Sequence, residues 1–257
     1  MFENLFSLKK KVALITGASR GIGRAIALAY AEAGAEVAVS SRNKRPPELE
    51  KVAEEIAALG KKALALPAHV GKKEDVRVLV EKTLERFGRV DILVNNAGAN
   101  PVLSSLADLA EDSFDKVLEV NLKGALLMSQ AVVPQMIRQG GGRIINMSSI
   151  SGLRARADGT GAYCISKAAM NMMTQVMARE LAPHKILVNA IAPGSIRTEF
   201  SRVNWTDPER KAQRIREIEL KRFGEPEEVV GIALFLASEA CSFVTGEIIR
   251  VDGGQTI

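Results

Sequence analysis

Short apolar runs rich in Val, Ile and Ala alternate with longer stretches in which apolar residues recur at three- and four-residue spacing. The short runs are Val12–Thr16, Glu36–Ser41, Lys62–Leu66, Asp91–Asn95, Arg143–Met147, Ile186–Ile191 and Glu247–Val251. Strands that are apolar at nearly every position are covered on both faces, as parallel sheets require. The helical period follows the Gly-punctuated residues after Thr16 as far as about Ala33. It returns in Glu48–Leu59, Lys73–Phe87, Asp112–Gln139, Gly161–Leu181 and Glu227–Ala237. Strand–helix alternation along the whole chain predicts an α/β fold, a doubly wound parallel sheet of about seven strands with helices on both faces. No linker, composition shift or internal repeat divides residues 1–257, so one domain is expected. The least regular stretch, 195–222, is charged and interrupted by Pro208, and it lies where such folds carry a substrate lid.

Composition narrows the function classes. The 257 residues are 47% hydrophobic and 25% charged with a net charge of +5, which excludes a disordered chain. No apolar run approaches the ~18 residues of a membrane span, and Met1–Leu8 lacks a secretory pattern. No membrane association and a cytoplasmic location are therefore expected. Cys164, Cys241, His69 and His184 are too few to build a disulfide framework or a zinc cluster, so no metal site is expected. The lysines fall in scattered short runs and aromatics make up only 4%, which argues against a nucleic-acid partner.

The first predicted strand runs into Thr16-Gly17-Ala18-Ser19-Arg20-Gly21-Ile22-Gly23 and then a helix. Glycines at such a turn let backbone approach a pyrophosphate, and the helix start offers free N–H groups at a positive dipole end. Further along, Tyr163 and Lys167 are four apart on a predicted helix and share a face. A phenol with a pKa near 10 is a poor acid or base at neutral pH, and a neighbouring ammonium is expected to lower that value. Ser149 closes the fifth strand, 14 residues before Tyr163, with Ser148 as the competing hydroxyl. Asn121 is a poor residue for a helix interior, so a local kink is expected there.

Thr16–Gly23, Asn95-Asn96-Ala97-Gly98, Asn121, Ser149, Tyr163-x-x-x-Lys167 and Pro193-Gly194 together resemble the short-chain dehydrogenase/reductase family, in its order and spacing over almost the whole chain. The resemblance implies a Rossmann-like fold and transfer of a hydride between a nicotinamide coenzyme and a carbonyl or alcohol. It implies Tyr163 as acid/base, Ser149 as hydrogen-bond donor to the substrate oxygen, Lys167 as partner of the phenol and the nicotinamide ribose, and Asn121 in a proton relay.

The coenzyme contacts it implies begin with Gly17, Ser19, Arg20, Gly21, Ile22 and Gly23 at the phosphate turn. Ser41 and Arg42 follow at the adenosine ribose, then His69 and Val70 at the adenine, and Asn95, Ala97 and Gly98 after the fourth strand. Tyr163, Lys167, Pro193, Gly194, Ile196 and Thr198 complete the set at the nicotinamide. Where an acidic residue would favour NAD, this chain has Ser41 followed by Arg42, and Arg20 faces the same pocket in relatives. Paired guanidiniums suit a 2′-phosphate, so NADP(H) is expected over NAD(H). His69-Val70 stands where relatives carry Asp-Val, and its ring is expected to hydrogen-bond or stack on adenine.

His69-Val70-Gly71-Lys72, Ala99-Asn100-Pro101 and Thr198–Arg202 with Trp205 are most similar to the NADP-dependent carbonyl/retinol reductase (member-4-like) branch, although the chain ends in Gln255-Thr256-Ile257 rather than a peroxisomal signal. The expected function is NADPH-dependent carbonyl reduction or its reverse on a small molecule. A 3-oxoacyl-thioester (acyl carrier protein) reductase is the alternative, and a non-catalytic NADP-binding regulator a remote one. Arg154 and Arg156 are candidates for drawing in an anionic carrier, and Phe200 and Trp205 for an apolar lid. Met170, Met172, Met173 and Met177 make the Gly161–Leu181 helix apolar around much of its circumference, and with family precedent they suggest a homotetramer.

Overall fold

The computed structural model describes residues 2–42, 46–100, 102–156 and 158–257. Pro101, one of the residues that carry the resemblance, lies outside them. After a short helix α1 (Phe2–Leu5) the order is β1 (Val12–Thr16), α2 (Gly21–Glu32), β2 (Glu36–Ser41), α3 (Pro46–Ala58), β3 (Ala63–Pro67), α4 (Lys73–Phe87) and β4 (Ile92–Asn95). Then come α5 (Glu111–Leu118), a π-helical turn (Glu119–Lys123), α6 (Gly124–Arg138), β5 (Gly142–Met147), α7 (Gly161–Leu181), β6 (Ile186–Pro193), α8 (Val203–Thr206), α9 (Pro208–Glu217), α10 (Val230–Ala237) and β7 (Ile248–Val251).

The seven strands form one parallel sheet in the order β3-β2-β1-β4-β5-β6-β7. The Rossmann-like α/β expectation holds, with strand limits shifted by one or two residues. All five residues of β1 are buried, as a central parallel strand requires. One apolar cluster joins α2, α3 and α10 to the sheet, where Tyr30 is buried and donates to the Ala233 carbonyl at 2.7 Å. A second cluster on the opposite face joins α4, α6 and α7. Each sheet face is therefore covered by helices, and what stays open is the rim where the strands end. The strand order reverses between β1 and β4, which leaves a crevice at their carboxyl ends.

Two parts depart from the sequence expectation. The helix anticipated over Asp112–Gln139 is two helices joined by the π turn, which places Asn121 in its middle. The irregular 195–222 stretch holds two short helices. Pro208 starts α9 rather than breaking it, because a proline at the first helical position sacrifices no hydrogen bond, and Asp207 caps it by accepting from the Arg210 amide at 2.8 Å. Among the described residues no helix is long and apolar enough to cross a membrane.

Candidate active site

The carboxyl ends of β1, β4, β5 and β6 open into a cleft of about 610 Å³. Its floor is built by Thr16, whose buried hydroxyl accepts from the Asn96 and Ala97 amides, both at 3.1 Å, and donates to the Val94 carbonyl at 3.3 Å. Asn96 Nδ2 returns the contact by donating to the Thr16 and Gly17 carbonyls at 3.0 Å each. This stitching leaves no room for a side chain at Gly17. Its φ is +66°, and a Cβ there would lie 2.9 Å from Ala97 Cα. The turn delivers the chain into α2, whose N-cap residue Arg20 supplies no side-chain cap. Uncapped amides at the start of a 12-residue helix, facing a cleft, fit the pyrophosphate of a dinucleotide.

Most of the anticipated residues line this cleft: Gly17, Ser19, Arg20, Gly21, Ile22, Ser41, Arg42, His69, Val70, Ala97, Gly98, Ser149, Tyr163, Lys167, Pro193, Gly194, Ile196 and Thr198. Asn95 and Gly23 do not, which corrects both expectations. Asn95 points into the helix layer, only 3% exposed, where its Nδ2 donates to Asn146 Oδ1 at 2.9 Å and Ser129 Oγ at 3.2 Å. Gly23 is a packing glycine, since a Cβ there would meet Asn96 Nδ2 at 2.4 Å and the Gly17 carbonyl at 2.6 Å. Asn96, overlooked in favour of Asn95, is the asparagine that faces the glycine turn. The alternation of side chains at the end of a strand was the signal that separates them.

At the far end of the cleft Arg20 and Arg42 are both exposed, and neither makes an ion pair among the described residues. Ser41 and Glu48 line the same end. The expected hydrogen bond from the His69 ring to adenine has no free atom to use. Nδ1 accepts from the Gly71 amide at 3.1 Å, and Nε2 lies 3.1 Å from Lys116 Nζ, which pairs with Glu119 at 2.5 Å. Burial, followed by the charge of Lys116, pushes the His69 pKa down. Only the ring face remains for stacking.

At the other end, α7 carries Tyr163 and Lys167 one turn apart, with Lys167 Nζ 5.6 Å from the phenol ring centre and donating to the Met147 carbonyl at 2.6 Å. Gly152, in the helical turn after β5, lets that turn pack close against α7, because a Cβ would sit 2.6 Å from the Lys167 carbonyl carbon. The expected lowering of the phenol pKa is not what the protein alone produces. Burial pushes Tyr163 up to about 12, partly offset by the Ser149 hydroxyl. Burial likewise pushes Lys167 down to about 7. An ammonium stripped of water loses its own charge before it can stabilise a phenolate, so desolvation outweighs attraction. Of the two serines, Ser149 faces Tyr163, whereas buried Ser148 donates to Asn171 Oδ1 at 2.5 Å.

Asn121 is fully buried one layer behind the cleft. Its Oδ1 accepts from the Ala99 amide at 2.7 Å, and its Nδ2 donates to the Ala99 carbonyl and to Ser166 Oγ, both at 3.0 Å. Ser166 in turn donates to the Tyr163 carbonyl at 2.7 Å, so Asn121 ties the segment after β4 to the tyrosine helix. Over the cleft mouth, Phe200 stacks at a tilt 5.9 Å from Tyr163. Trp205 does not line the cleft; its Nε1 donates to the Thr198 carbonyl at 3.0 Å and pins the start of the excursion. Arg154 also lies outside this cleft, and Arg156 is paired with Asp158 and Glu217, which removes the positive site expected of them.

Residues 17–256 match the family model described as enoyl-(acyl carrier protein) reductase. The chain is 42% identical over 250 residues to the human protein "Dehydrogenase/reductase SDR family member 4", covering 96% of this chain and 88% of that one. It is 41% identical over 256 residues to the "NAD-dependent glycerol dehydrogenase" of Listeria innocua, covering 100% and 98%. A crystal structure of a short-chain type dehydrogenase/reductase from Mycobacterium marinum superposes with a TM-score of 0.93 at 43% identity, over 98% of both chains.

Proposed function

The chain belongs to the short-chain dehydrogenase/reductase family, and from that premise we propose that it is an NADP(H)-dependent oxidoreductase interconverting a ketone or aldehyde and its alcohol. The observation that carries this reading is the gathering of Tyr163, Lys167 and Ser149 at one end of a cleft whose other end is a glycine turn and an uncapped helix start. A bound nicotinamide coenzyme supplies or accepts the hydride. The uncapped α2 amides and Gly17 would hold its pyrophosphate, and Lys167 its nicotinamide ribose. In the reducing direction Tyr163 gives its proton to the carbonyl oxygen, and Ser149 donates a hydrogen bond to the same oxygen as negative charge develops there. A phenol at about 12 is fully protonated at neutral pH, the form the reducing direction needs, and although a weak acid it can protonate the substrate oxygen as that oxygen takes on the basicity of an alkoxide. Lys167, near 7, is divided between its two protonation states and suited to hand the phenol a replacement proton.

NADP(H) is favoured because Ser41 stands where a carboxylate would repel a 2′-phosphate, while Arg20 and Arg42, without an ion pair among the described residues, line the same end of the cleft. The NAD dependence named for the Listeria protein makes coenzyme choice the property to measure alongside activity. The thioester alternative is favoured less, because Arg156 is paired with Asp158 and Glu217 and Arg154 lies outside this cleft. The test is a carbonyl and alcohol panel run with both coenzymes. Wild type is expected to consume NADPH faster than NADH, and Tyr163→Phe to lose on the order of 10²–10⁴-fold in kcat while still binding coenzyme. Turnover retained by Tyr163→Phe defeats the mechanism.

A further inference from the structure

Helix α9 turns three charged residues toward the substrate end of the molecule at one-turn spacing: Arg210, Arg214 and Glu217. The latter two are consumed in a four-member cluster. Arg214 donates to Asp158 Oδ2 at 2.6 Å and Glu217 Oε2 at 3.3 Å, and Arg156 donates to the same two oxygens at 2.9 and 3.2 Å. Thr160, which precedes α7, donates to Asp158 Oδ1 at 2.5 Å, and Gln255 Nε2 donates to Glu217 Oε2 at 3.2 Å. Two guanidiniums against two carboxylates leave no net charge, and their side chains are only 11–33% exposed. The cluster therefore acts as a clamp that fixes α9 against the segment leading into Tyr163.

Arg210 sits one turn along the clamped helix and lines the same cleft as Tyr163. Its guanidinium makes no hydrogen bond or ion pair among the described residues. Glu199, an acidic neighbour at that end of the cleft, is already paired with Arg202 at 3.3 Å. The amide side chains of Asn100 and Asn204 line the cleft too, without an internal hydrogen bond among the described residues. A helix held in place by a neutral cluster thus presents one uncompensated cation over the reaction cleft, with neutral polar groups beside it. A guanidinium on a fixed element binds a carboxylate by two parallel bonds and loses little freedom in doing so.

We propose that Arg210 determines specificity by binding a carboxylate carried on the carbonyl substrate, so that the enzyme's substrates are oxo acids rather than neutral ketones. This rests on the reductase reading above.

The experiment uses methyl-ketone acids of rising chain length (4-oxopentanoate, 5-oxohexanoate, 6-oxoheptanoate), their methyl esters, and acetoacetyl-CoA. All are reduced by the full chain with NADPH and with NADH. At one length or more, wild type should favour the acid over its ester by about tenfold or more in kcat/KM, mostly through KM. Arg210→Ala should collapse that ratio toward one, and Arg210→Lys should retain part of it. Arg210 is exposed, so neither variant threatens the fold. Esters preferred at every length overturn the proposal, as does an acid preference that survives Arg210→Ala. An Arg210 requirement seen only with acetoacetyl-CoA overturns it in favour of a carrier phosphate. No coenzyme oxidation with any compound overturns the reductase reading itself, whereas reduction confined to esters leaves that reading standing.

Discussion

Lys167 is the residue whose surroundings do most to set the chemistry. Folding buries it and lowers its pKa from 10.5 to about 7 with no carboxylate beside it. Between those two values the unfolded chain holds a proton that the folded chain has released, so this lysine makes stability rise with pH across that window. The destabilisation is largest at and below pH 7 and has faded by pH 10. Lys167→Met abolishes it. Thermal melts of the coenzyme-free proteins at pH 7, 8.5 and 10 should show wild type gaining on Lys167→Met at each step, and parallel curves would refute the assignment. Tyr163 shifts the other way, from 10 to about 12, so its contribution falls only above pH 10 and does not disturb the comparison. At the opposite end of the cleft, Ser41→Asp places a carboxylate where a 2′-phosphate would sit, and Arg42→Ala removes a cation. Each is expected to lower the NADPH:NADH ratio of kcat/KM by about ten- to hundredfold, the worth of one charge-assisted hydrogen bond. An unchanged ratio in both variants would remove the basis for NADP(H) preference.

Among the elements, the π turn between α5 and α6 has the largest consequence for its size. A single extra residue in the helical turn swings Asn121 inward, where its amide satisfies both backbone groups of Ala99 and the Ser166 hydroxyl. Asn121→Ala leaves the half-buried Ala99 backbone groups without their amide partner, while the Ser166 hydroxyl keeps the Tyr163 carbonyl, and should cost about 1–3 kcal/mol in urea unfolding, with turnover falling because the segment after β4 is released. A loss below about 0.5 kcal/mol would show that water replaces the amide. An asparagine in a helical pattern announced an irregularity but not its form, since periodicity reports which face is apolar and not how the backbone bonds. The sheet was legible because burial on both faces leaves a continuous apolar run, as in Val12–Thr16. The glycine turn and Tyr163–Lys167 were legible because their geometry is local. The motif match alone favours Asn95 over Asn96 and passes over the signal that adjacent residues at a strand end face opposite ways. The clamp of Arg156, Asp158, Arg214 and Glu217 joins residues up to 61 positions apart and leaves no local trace.

At the scale of the whole molecule, the methionines of α7 divide by face. Met170 and Met177 are in the core, whereas Met172 is 60% exposed. With Ile165 and Val176, also exposed, it forms a stripe at seven- and four-residue spacing along one side of the helix. A long apolar stripe on a monomer surface has no stabilising role and is an association site when copied across a two-fold axis, because each stripe then meets its own image. The stripe by itself pairs two chains; the homotetramer of four 27.7 kDa chains is what the family resemblance implies, and we expect α7 at one of its two-fold interfaces. Met172→Glu sets two carboxylates against each other across that axis, while leaving the buried face of α7 and the cleft untouched. The repulsion and the lost burial act together on every copy of the interface, so light scattering should report dimers or monomers for Met172→Glu under conditions where wild type holds four chains. A wild-type mass of 27.7 kDa, or a variant as large as wild type, would mean that the stripe serves another surface.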